Sequence, residues 1–437
     1  EEKIVEAITR LFNLTKKQIG LIDLEAELDI ETVTEIFIRI NSQGVVLSQA
    51  DFAMSKIAAN DLYGGQTLRK AIDYFCHLAI APEFYQFIAD NDKDFSTTDY
   101  FQKMTWLKNE NDELYDPSYT DMLRVAFTTE FNRGKMSDLV SLLSGRNFET
   151  RTFEEEIAKE SFRKLKDGVF NFMSETNFKR FVMIIKSAGF VDTKMIRSQN
   201  ALNFAYIVYL KLRSKNLDQG LIEIYVRKWF VYSILTGRYS GSPESMFDFD
   251  IKQIDNKSFD EYLQEKEDGE LSDAFWSVNL VQRLDTSVAS SPFFNIFLAA
   301  QVKNKDRGFL SKEISVNNLI NHRGDIHHIF PKNYLKKSGL TRSSYNQIAN
   351  YVYMQQEVNI QVGNKAPEVY FSEVLEQCNQ GELKYGALTD KNDLLKNLNE
   401  NCIPESVFSM TIENYQDFLI ERRRLIAKKI KDYYYSL

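Results

Sequence analysis

The chain has 437 residues, enough for two or three domains, and its 43% hydrophobic and 27% charged residues are typical of a globular rather than a disordered protein. A net charge of −8 excludes a uniformly basic protein, and three cysteines far apart in sequence exclude a disulfide framework or a cysteine metal site. No signal peptide and no apolar run of membrane-spanning length is present, so we expect a cytoplasmic protein without a membrane partner.

The first 60 residues begin with an amphipathic helix. It is predicted from apolar residues at helical spacing, namely Ile4, Val5, Ile8, Leu11 and Phe12. The stretch IGLIDLEAEL follows with strand character. In FIRINSQGVVLSQAD a polar turn separates two ordered elements, and Ser48 with Asp51 predicts a capping box at the start of another helix.

This stretch, FIRINSQGVVLSQAD, resembles the closing part of the ParB-like nucleotide-hydrolysing domain of modification-dependent restriction enzymes of the GmrSD type. FNRGKMSDLVSLLSGRNFETR and LTGRYSGSPES are less specific matches. The family's Asp-Gly-Gln-Gln-Arg motif is absent, so the resemblance implies that the front of that domain lies upstream of Glu1 and that the chain is a fragment. A nucleotide partner would bind through the missing part. Arg39, Asn41 and Gly44 either contribute to a nucleotide site or, more simply, form a structural turn.

Residues 61–305 predict one helix after another. NFAYIVYLKL and VRKWFVYSIL are almost wholly apolar, which indicates buried helices of a large helical core. Thr152 and Glu155 predict a second capping box, and His77, within an apolar run, is most simply a core histidine. Arg238 lies in a Gly- and Ser-containing interruption, where it either contacts a phosphate or pairs with a nearby carboxylate, Asp248 or Asp250.

Three of the four histidines, His322, His327 and His328, fall within seven residues. DIHHIFP alternates apolar and polar positions before a proline, which predicts a short strand entering a loop. NYVYM is a second strand candidate, and residues 355–361 predict one or two helical turns before a glycine. Neutral imidazole can bind a divalent metal, and a second imidazole can accept a proton from water near neutral pH.

HHIFPKNYLKK, the asparagine that opens the second strand and the asparagine on the helix together resemble the HNH (His-Me finger, ββα-metal) endonucleases. The resemblance implies that His327 and Asn359 are metal ligands, that His328 is the general base, and that Asn350 orients the loop that carries the base. The implied cofactor is Mg²⁺ or Mn²⁺. No CxxC pairs flank the motif, so a zinc-stapled variety is not expected. An adjacent histidine pair alone is more often structural, but the proline, both asparagines and the basic loop agree with the nuclease.

Three neighbours, Asn346, Asn364 and Asp325, compete with Asn359 as the second ligand. Between residues 301 and 370 ten Lys or Arg face five acids, a net charge of +5 in a chain of net charge −8. A basic stretch around a metal site suits a polyanionic substrate, although single surface lysines are usually just solvated. The candidates for phosphate contacts are Lys332, Lys336, Lys337 and Lys365.

The last 27 residues predict an amphipathic helix with a basic band, either a phosphate-binding surface or solvated charge, formed by Arg422, Arg423, Arg424, Lys428 and Lys429. The sequence as a whole predicts a mainly α-helical, multidomain protein with a small ββα-metal nuclease unit near its C-terminus. Its parts would be the nucleotide-domain remnant (1–60), a helical region (61–305) and the nuclease domain with the last helix (306–437).

The expected function is metal-dependent cleavage of DNA, in a setting of defence against modified phage DNA. Two alternatives remain open at this stage. One is a DNA-binding or regulatory module whose finger no longer cuts, and the other is a helical scaffold without DNA affinity. Neither the modification recognised nor the nucleotide used follows from the sequence.

Overall fold

The structure is a computed structural model that describes residues 2–17, 23–25, 33, 36, 47–110, 112, 114–322, 324–380 and 382–437. It is mainly α-helical, as the sequence predicts. The chain divides into two compact units, Glu1–Phe52 and Ala53–Leu437. The predicted boundaries after residues 60 and 305 stay predictions. Of IGLIDLEAEL only residues 23–25 are described, and Arg39, Asn41 and Gly44 lie outside the described residues.

The helix predicted at the start is present as α1 (Glu2–Leu14). The next, α2 (Gln49–Ala58), begins with the predicted capping box, since the Asp51 amide donates to Ser48 Oγ at 3.2 Å and the Ser48 amide donates to Asp51 Oδ2 at 2.8 Å. The helices that follow up to residue 304 are α3 (Gly65–Ile80), α4 (Tyr85–Asn91), α5 (Lys93–Ser96), α6 (Asp99–Lys103), α7 (Tyr119–Phe131), α8 (Met136–Leu143), α9 (Glu155–Met173), α10 (Glu175–Ser187), α11 (Gln199–Ser214), α12 (Gln219–Thr236), α13 (Pro243–Asn256), α14 (Phe259–Glu270), α15 (Leu280–Arg283) and α16 (Pro292–Asn304).

The centre of this region is formed by α11 and α12, the two apolar segments predicted to be buried. Helix α11 packs against α7 and α12, and α7 packs against α9. Tyr206 and Trp229 are fully buried, and each places its polar atom on a partner: Tyr206 Oη donates to the Phe172 carbonyl at 2.9 Å and Trp229 Nε1 donates to Tyr239 Oη at 3.1 Å. Burial of such large side chains, each worth about 1.5–3 kcal/mol, stabilises the core.

Arg238 is a structural residue of this core. Its guanidinium Nε donates to Asp250 Oδ2 at 2.8 Å, and Tyr239 and Tyr262 each donate to the same carboxylate at 2.7 Å. Asp250 is fully buried. The predicted pairing of Arg238 with Asp250 is confirmed by their hydrogen bond. Because a buried carboxylate holds it, Arg238 is not the open phosphate contact that the sequence left as an alternative.

Two local predictions in the helical region are wrong. His77 is exposed on α3, where its ring lies 5.0 Å from that of Phe84, because its position in the helix turns outward from the apolar stripe. Thr152 does not cap α9, which begins at Glu155. The Thr152 hydroxyl instead donates to Glu154 Oε1 at 2.9 Å, within the preceding turn.

The second core lies in the last 130 residues around a small sheet. Its elements are α17 (Val316–Asn321), β1 (Asp325–His328), α18 (Lys332–Lys337), α19 (Arg342–Tyr345), β2 (Tyr351–Met354), α20 (Gln356–Val362), α21 (Pro367–Gln380), α22 (Lys391–Glu400) and α23 (Tyr415–Tyr435). Strands β1 and β2 are antiparallel and α20 follows β2 directly. Apolar residues of β2, of the segment after β1 and of α20 to α23 form one buried cluster.

The predicted basic band of α23 is wrong, because most of its charges face inward. Arg422 is fully buried and donates to the carbonyl oxygens of Ala349 (2.8 Å) and Asn401 (3.0 Å). Arg423 is also buried and donates to Asp285 at 2.6 Å. Lys429 pairs with a buried carboxylate and donates to a main-chain carbonyl, which leaves Arg424 and Lys428 on the surface.

A search of the helices in the described ranges finds none that combines the length and the apolar character needed to cross a bilayer.

Candidate functional site

The two adjacent histidines lie at the end of β1 and point to opposite faces of the sheet. His328 pairs with Tyr351 in the register of β1 and β2, and His327 pairs with Val352. Directly opposed residues of an antiparallel pair share a face, and neighbouring residues alternate. His328 therefore lies on the Tyr351 face, where the two rings meet edge to face at 5.1 Å, and His327 lies on the face of Val352 and Met354.

The imidazole of His328 is held on two sides. Its Nε2 lies 3.0 Å from Asn346 Oδ1, and the Tyr351 ring packs against it. Partial burial lowers the pKa of His328 below its ordinary value of 6.5, so the neutral ring dominates near pH 7. A neutral imidazole fixed by one hydrogen bond has the form that a general base requires.

Asn350 holds the loop that leaves β1. The residue is fully buried, and its Oδ1 accepts from the Phe330 amide at 2.8 Å while its Nδ2 donates to the carbonyls of Phe330 (3.1 Å) and Tyr345 (3.3 Å). The Asn350 carbonyl also accepts from the Ile329 amide at 2.9 Å. The Asn350 carboxamide therefore holds Phe330, two residues after His328, and Tyr345, at the end of α19.

His327 and Asn359, the predicted metal ligands, lie on β1 and on α20, the helix that directly follows β2. Val358 and Val362 of α20 belong to the same buried cluster as Val352 and Met354 of β2. His327 and Asn359 are both half-buried. An imidazole and a carboxamide next to solvent fit a divalent cation that keeps several water ligands.

The competing ligands have different surroundings. Asn346 bonds to His328, and Asn364 is exposed. Asp325 pairs through its backbone with Met354 in the sheet. Among the described residues, no group of three or more His, Cys, Asp or Glu side chains is placed to hold a metal ion.

Three of the four predicted phosphate-binding lysines are exposed on the helix that follows β1. Lys332, Lys336 and Lys337 belong to α18, which begins just after β1, and the Lys332 ammonium lies 5.8 Å from the Tyr345 ring. Lys365 is half-buried and donates to Glu373 at 2.7 Å. The charge of Lys365 is thus balanced within the protein, whereas α18 offers its charges to solvent.

Sequence reasoning missed the residues that hold this site from outside the motif. Asn346 bonds to the candidate base, Arg422 binds the carbonyl just before Asn350, and Tyr415 Oη donates to the Ser344 carbonyl at 3.0 Å. Asn346 was considered only as a metal ligand. No sequence signal marks Arg422, because it stands in a run of three arginines on a charged helix, and one of them, Arg424, is exposed.

Comparisons with known proteins assign no family. No family model matches the chain, and no solved structure matches it. An uncharacterized protein of Methanocaldococcus jannaschii is 28% identical over 219 residues, which is 47% of this chain and 36% of that protein. The chain thus spans only about a third of the length of the curated relative that it matches.

Proposed function

We propose that this protein is a metal-dependent endonuclease of the HNH type, which hydrolyses phosphodiester bonds of DNA. The observation that carries the proposal is the setting of His328 at the exit of β1, between the carboxamide of Asn346 and a loop fixed by buried Asn350. Fixed orientation is what a proton-transfer group requires.

The hydrogen bond to Asn346 supports Nδ1 of His328 as the nitrogen that would react. A carboxamide oxygen only accepts, so Nε2 of His328 carries the proton in that bond. The lone pair of Nδ1 is then available to take a proton from a water molecule. The water oxygen forms the new bond to phosphorus, and the bond to the 3′ oxygen breaks.

His327 and Asn359 would hold the divalent cation, Mg²⁺ or Mn²⁺. When bound, this ion supplies Lewis-acid stabilisation of the charge on the phosphoryl group and the leaving oxygen. The exposed lysines Lys332, Lys336 and Lys337 would hold the phosphate backbone, contacts that fix the position of the strand without reading its sequence.

The biological setting of the proposal comes from the GmrSD resemblance. In that setting the nuclease restricts modified phage DNA in the cytoplasm, and a nucleotide-hydrolysing domain controls it. The nuclease site and this control are separate parts of the proposal, because the residues that carry the first lie near the C-terminus and the stretch that most specifically suggests the second precedes residue 60.

Plasmid cleavage in Mg²⁺ or Mn²⁺ tests the assignment. We expect wild-type protein to cut, EDTA to abolish cutting, and His328→Ala to lower the rate at least about a hundredfold, since general-base catalysis contributes about 10²–10⁴-fold. His77→Ala is the matched control, because His77 is an exposed histidine of the helical region. Full activity of His328→Ala would refute the mechanism. Salt-dependent DNA binding without cutting in any divalent metal would favour the DNA-binding module instead.

A further inference from the structure

A cleft of about 350 Å³ opens beside the sheet, between α17, the end of β2 and the start of α20. It contains none of the predicted catalytic or metal-binding residues. Its lining includes His322, the third histidine of the cluster, for which the proposed mechanism has no use. The residues that line it are Ile314, Asn318, Leu319, His322, Gly324, Met354, Gln355, Gln356 and Glu357.

The lining suits a flat, neutral ligand with hydrogen-bonding edges. Carboxamides come from Asn318, Gln355 and Gln356, and apolar contact comes from side chains such as Leu319 and Met354. Gln355 Oε1 accepts from Ser311 Oγ at 3.4 Å, which leaves its amide group available to donate. Asparagine and glutamine carboxamides pair bidentately with base edges, notably that of adenine.

A phosphate is a poor fit for the same cleft. No lysine or arginine occurs among the described residues that line it, and Glu357 adds a carboxylate. The carboxylate of Glu357 would repel a phosphate there. The volume lies in the range of small-ligand sites, which are typically about 300–1,000 Å³.

The register of the sheet places the cleft on the face that carries His327. Met354, at the cleft, is two residues along β2 from Val352, which pairs with His327. At about 3.3 Å per residue the separation along the strand is about 7 Å. The cleft therefore lies on the same side of the sheet as the predicted metal ligand.

We infer that this cleft receives one nucleobase of the DNA strand that is cut, close to the cleaved bond. The inference rests on the proposed nuclease function and adds to it a site of base preference. Gln356 would contribute most to reading the base, because it is exposed at the start of α20 and no hydrogen bond of its side chain occurs within the described part of the chain.

The first test uses free deoxynucleosides, which carry no phosphate. Saturation-transfer NMR should detect binding of at least one of the four by wild-type protein and by His328→Ala. Binding should be about tenfold weaker in Gln356→Ala, as expected for loss of a bidentate contact. Gln361→Ala is the matched control, since Gln361 is exposed on the same helix and outside the cleft.

The second test maps cut positions on end-labelled duplexes of mixed sequence. Wild type and Gln361→Ala should share a base preference at one fixed position close to the cut, and Gln356→Ala should lose it. Cutting with the same preference in Gln356→Ala, or no nucleoside binding, would overturn the inference and leave the nuclease proposal intact. Nucleoside binding that depends on Gln356, in a protein that never cuts, would instead refute the nuclease and keep the base-binding cleft.

Discussion

At the scale of single residues, the candidate site depends on carboxamides rather than on ion pairs. Asn350 and Asn346 lie four residues apart, yet one is fully buried on main-chain groups and the other bonds to an imidazole. A carboxamide offers both a donor and an acceptor without a charge to desolvate. It can therefore fix a buried loop at lower cost than a carboxylate or an ammonium group.

Replacement of Asn350 by alanine should destabilise the protein by about 2–4 kcal/mol, because the buried Phe330 amide and two carbonyls would lose their partner. Chemical denaturation would measure the loss. Asn364→Ala, at an exposed asparagine nearby, should change the free energy of unfolding by less than about 0.5 kcal/mol. Equal stability of the two variants would contradict the role given to Asn350.

At the scale of secondary-structure elements, the last helix stabilises the segment between the two strands through a hydrogen bond. Arg422 of α23 reaches the carbonyl that precedes Asn350 and the carbonyl at the end of α22. Burial lowers the pKa of the Arg422 guanidinium to about 10. Carbonyl dipoles partner its charge. Arg422 therefore links α23 to the end of α22 and to the segment just before β2.

Arg422→Ala should lower the free energy of unfolding by about 3 kcal/mol or more, because it removes a buried side chain and leaves two buried carbonyls without donors. The effect would be measured by urea denaturation. Arg424→Ala provides the comparison, since Arg424 is exposed on the same helix and should change stability by less than about 0.5 kcal/mol. A large effect at Arg424 together with none at Arg422 would show that the helix is oriented differently.

The carboxylate of Glu373 on α21 makes the stability of the protein depend on pH. Burial alone would raise the pKa of Glu373, but hydrogen bonds from Lys365, Tyr385 and Lys384 bring it down from 4.5 to about 2. Because the folded pKa is lower than the unfolded one, Glu373 contributes stability above pH 4.5 that is lost as the pH falls from 4.5 towards 2.

Glu373→Gln should therefore cost about 1 kcal/mol at pH 7, a value kept small because the pair is partly exposed to solvent. The difference from wild type should shrink as the pH is lowered through this window. Urea denaturation at a series of pH values would measure it, with Glu376→Gln, exposed on the same helix, as the control. A difference that stays constant from pH 7 to pH 3 would exclude this coupling.

At the scale of the whole molecule, charge is distributed unevenly. The net charge of −8 coexists with a net charge of +5 between residues 301 and 370. Within that stretch the structure separates charges that serve packing, such as Lys365 with Glu373, from charges that face solvent on α18. Only the second kind can attract a polyanion.

Binding of duplex DNA to the His328→Ala protein should reflect this division. Lys336→Ala should weaken binding and reduce the slope of log affinity against log salt concentration by about one, the value for one lost phosphate contact. Lys365→Ala should leave the slope unchanged, because Glu373 already balances that charge. Fluorescence anisotropy at several salt concentrations would measure both slopes. A reduced slope in Lys365→Ala together with an unchanged slope in Lys336→Ala would place the DNA near α21 instead of α18.

Local sequence patterns predicted both strands at the site and the helix that follows them, but not α18 and α19, which lie where a loop was expected. Alternation of apolar and polar residues before a proline predicted β1, aromatic and β-branched residues predicted β2, and the run before Gly363 predicted α20, all of which are present. The capping box of Ser48 and Asp51 was equally local. These features depend on neighbours a few residues apart, so the sequence by itself determined them.

The tertiary structure alone decided which polar groups were internal. Arg422 contacts a carbonyl 73 residues earlier in the chain, and Arg238 sits in a buried network instead of at an open loop mouth. His77, expected inside, lies outside. A charged or polar residue has the same local pattern whether it faces solvent or a distant partner, because its burial depends on what the rest of the chain brings against it.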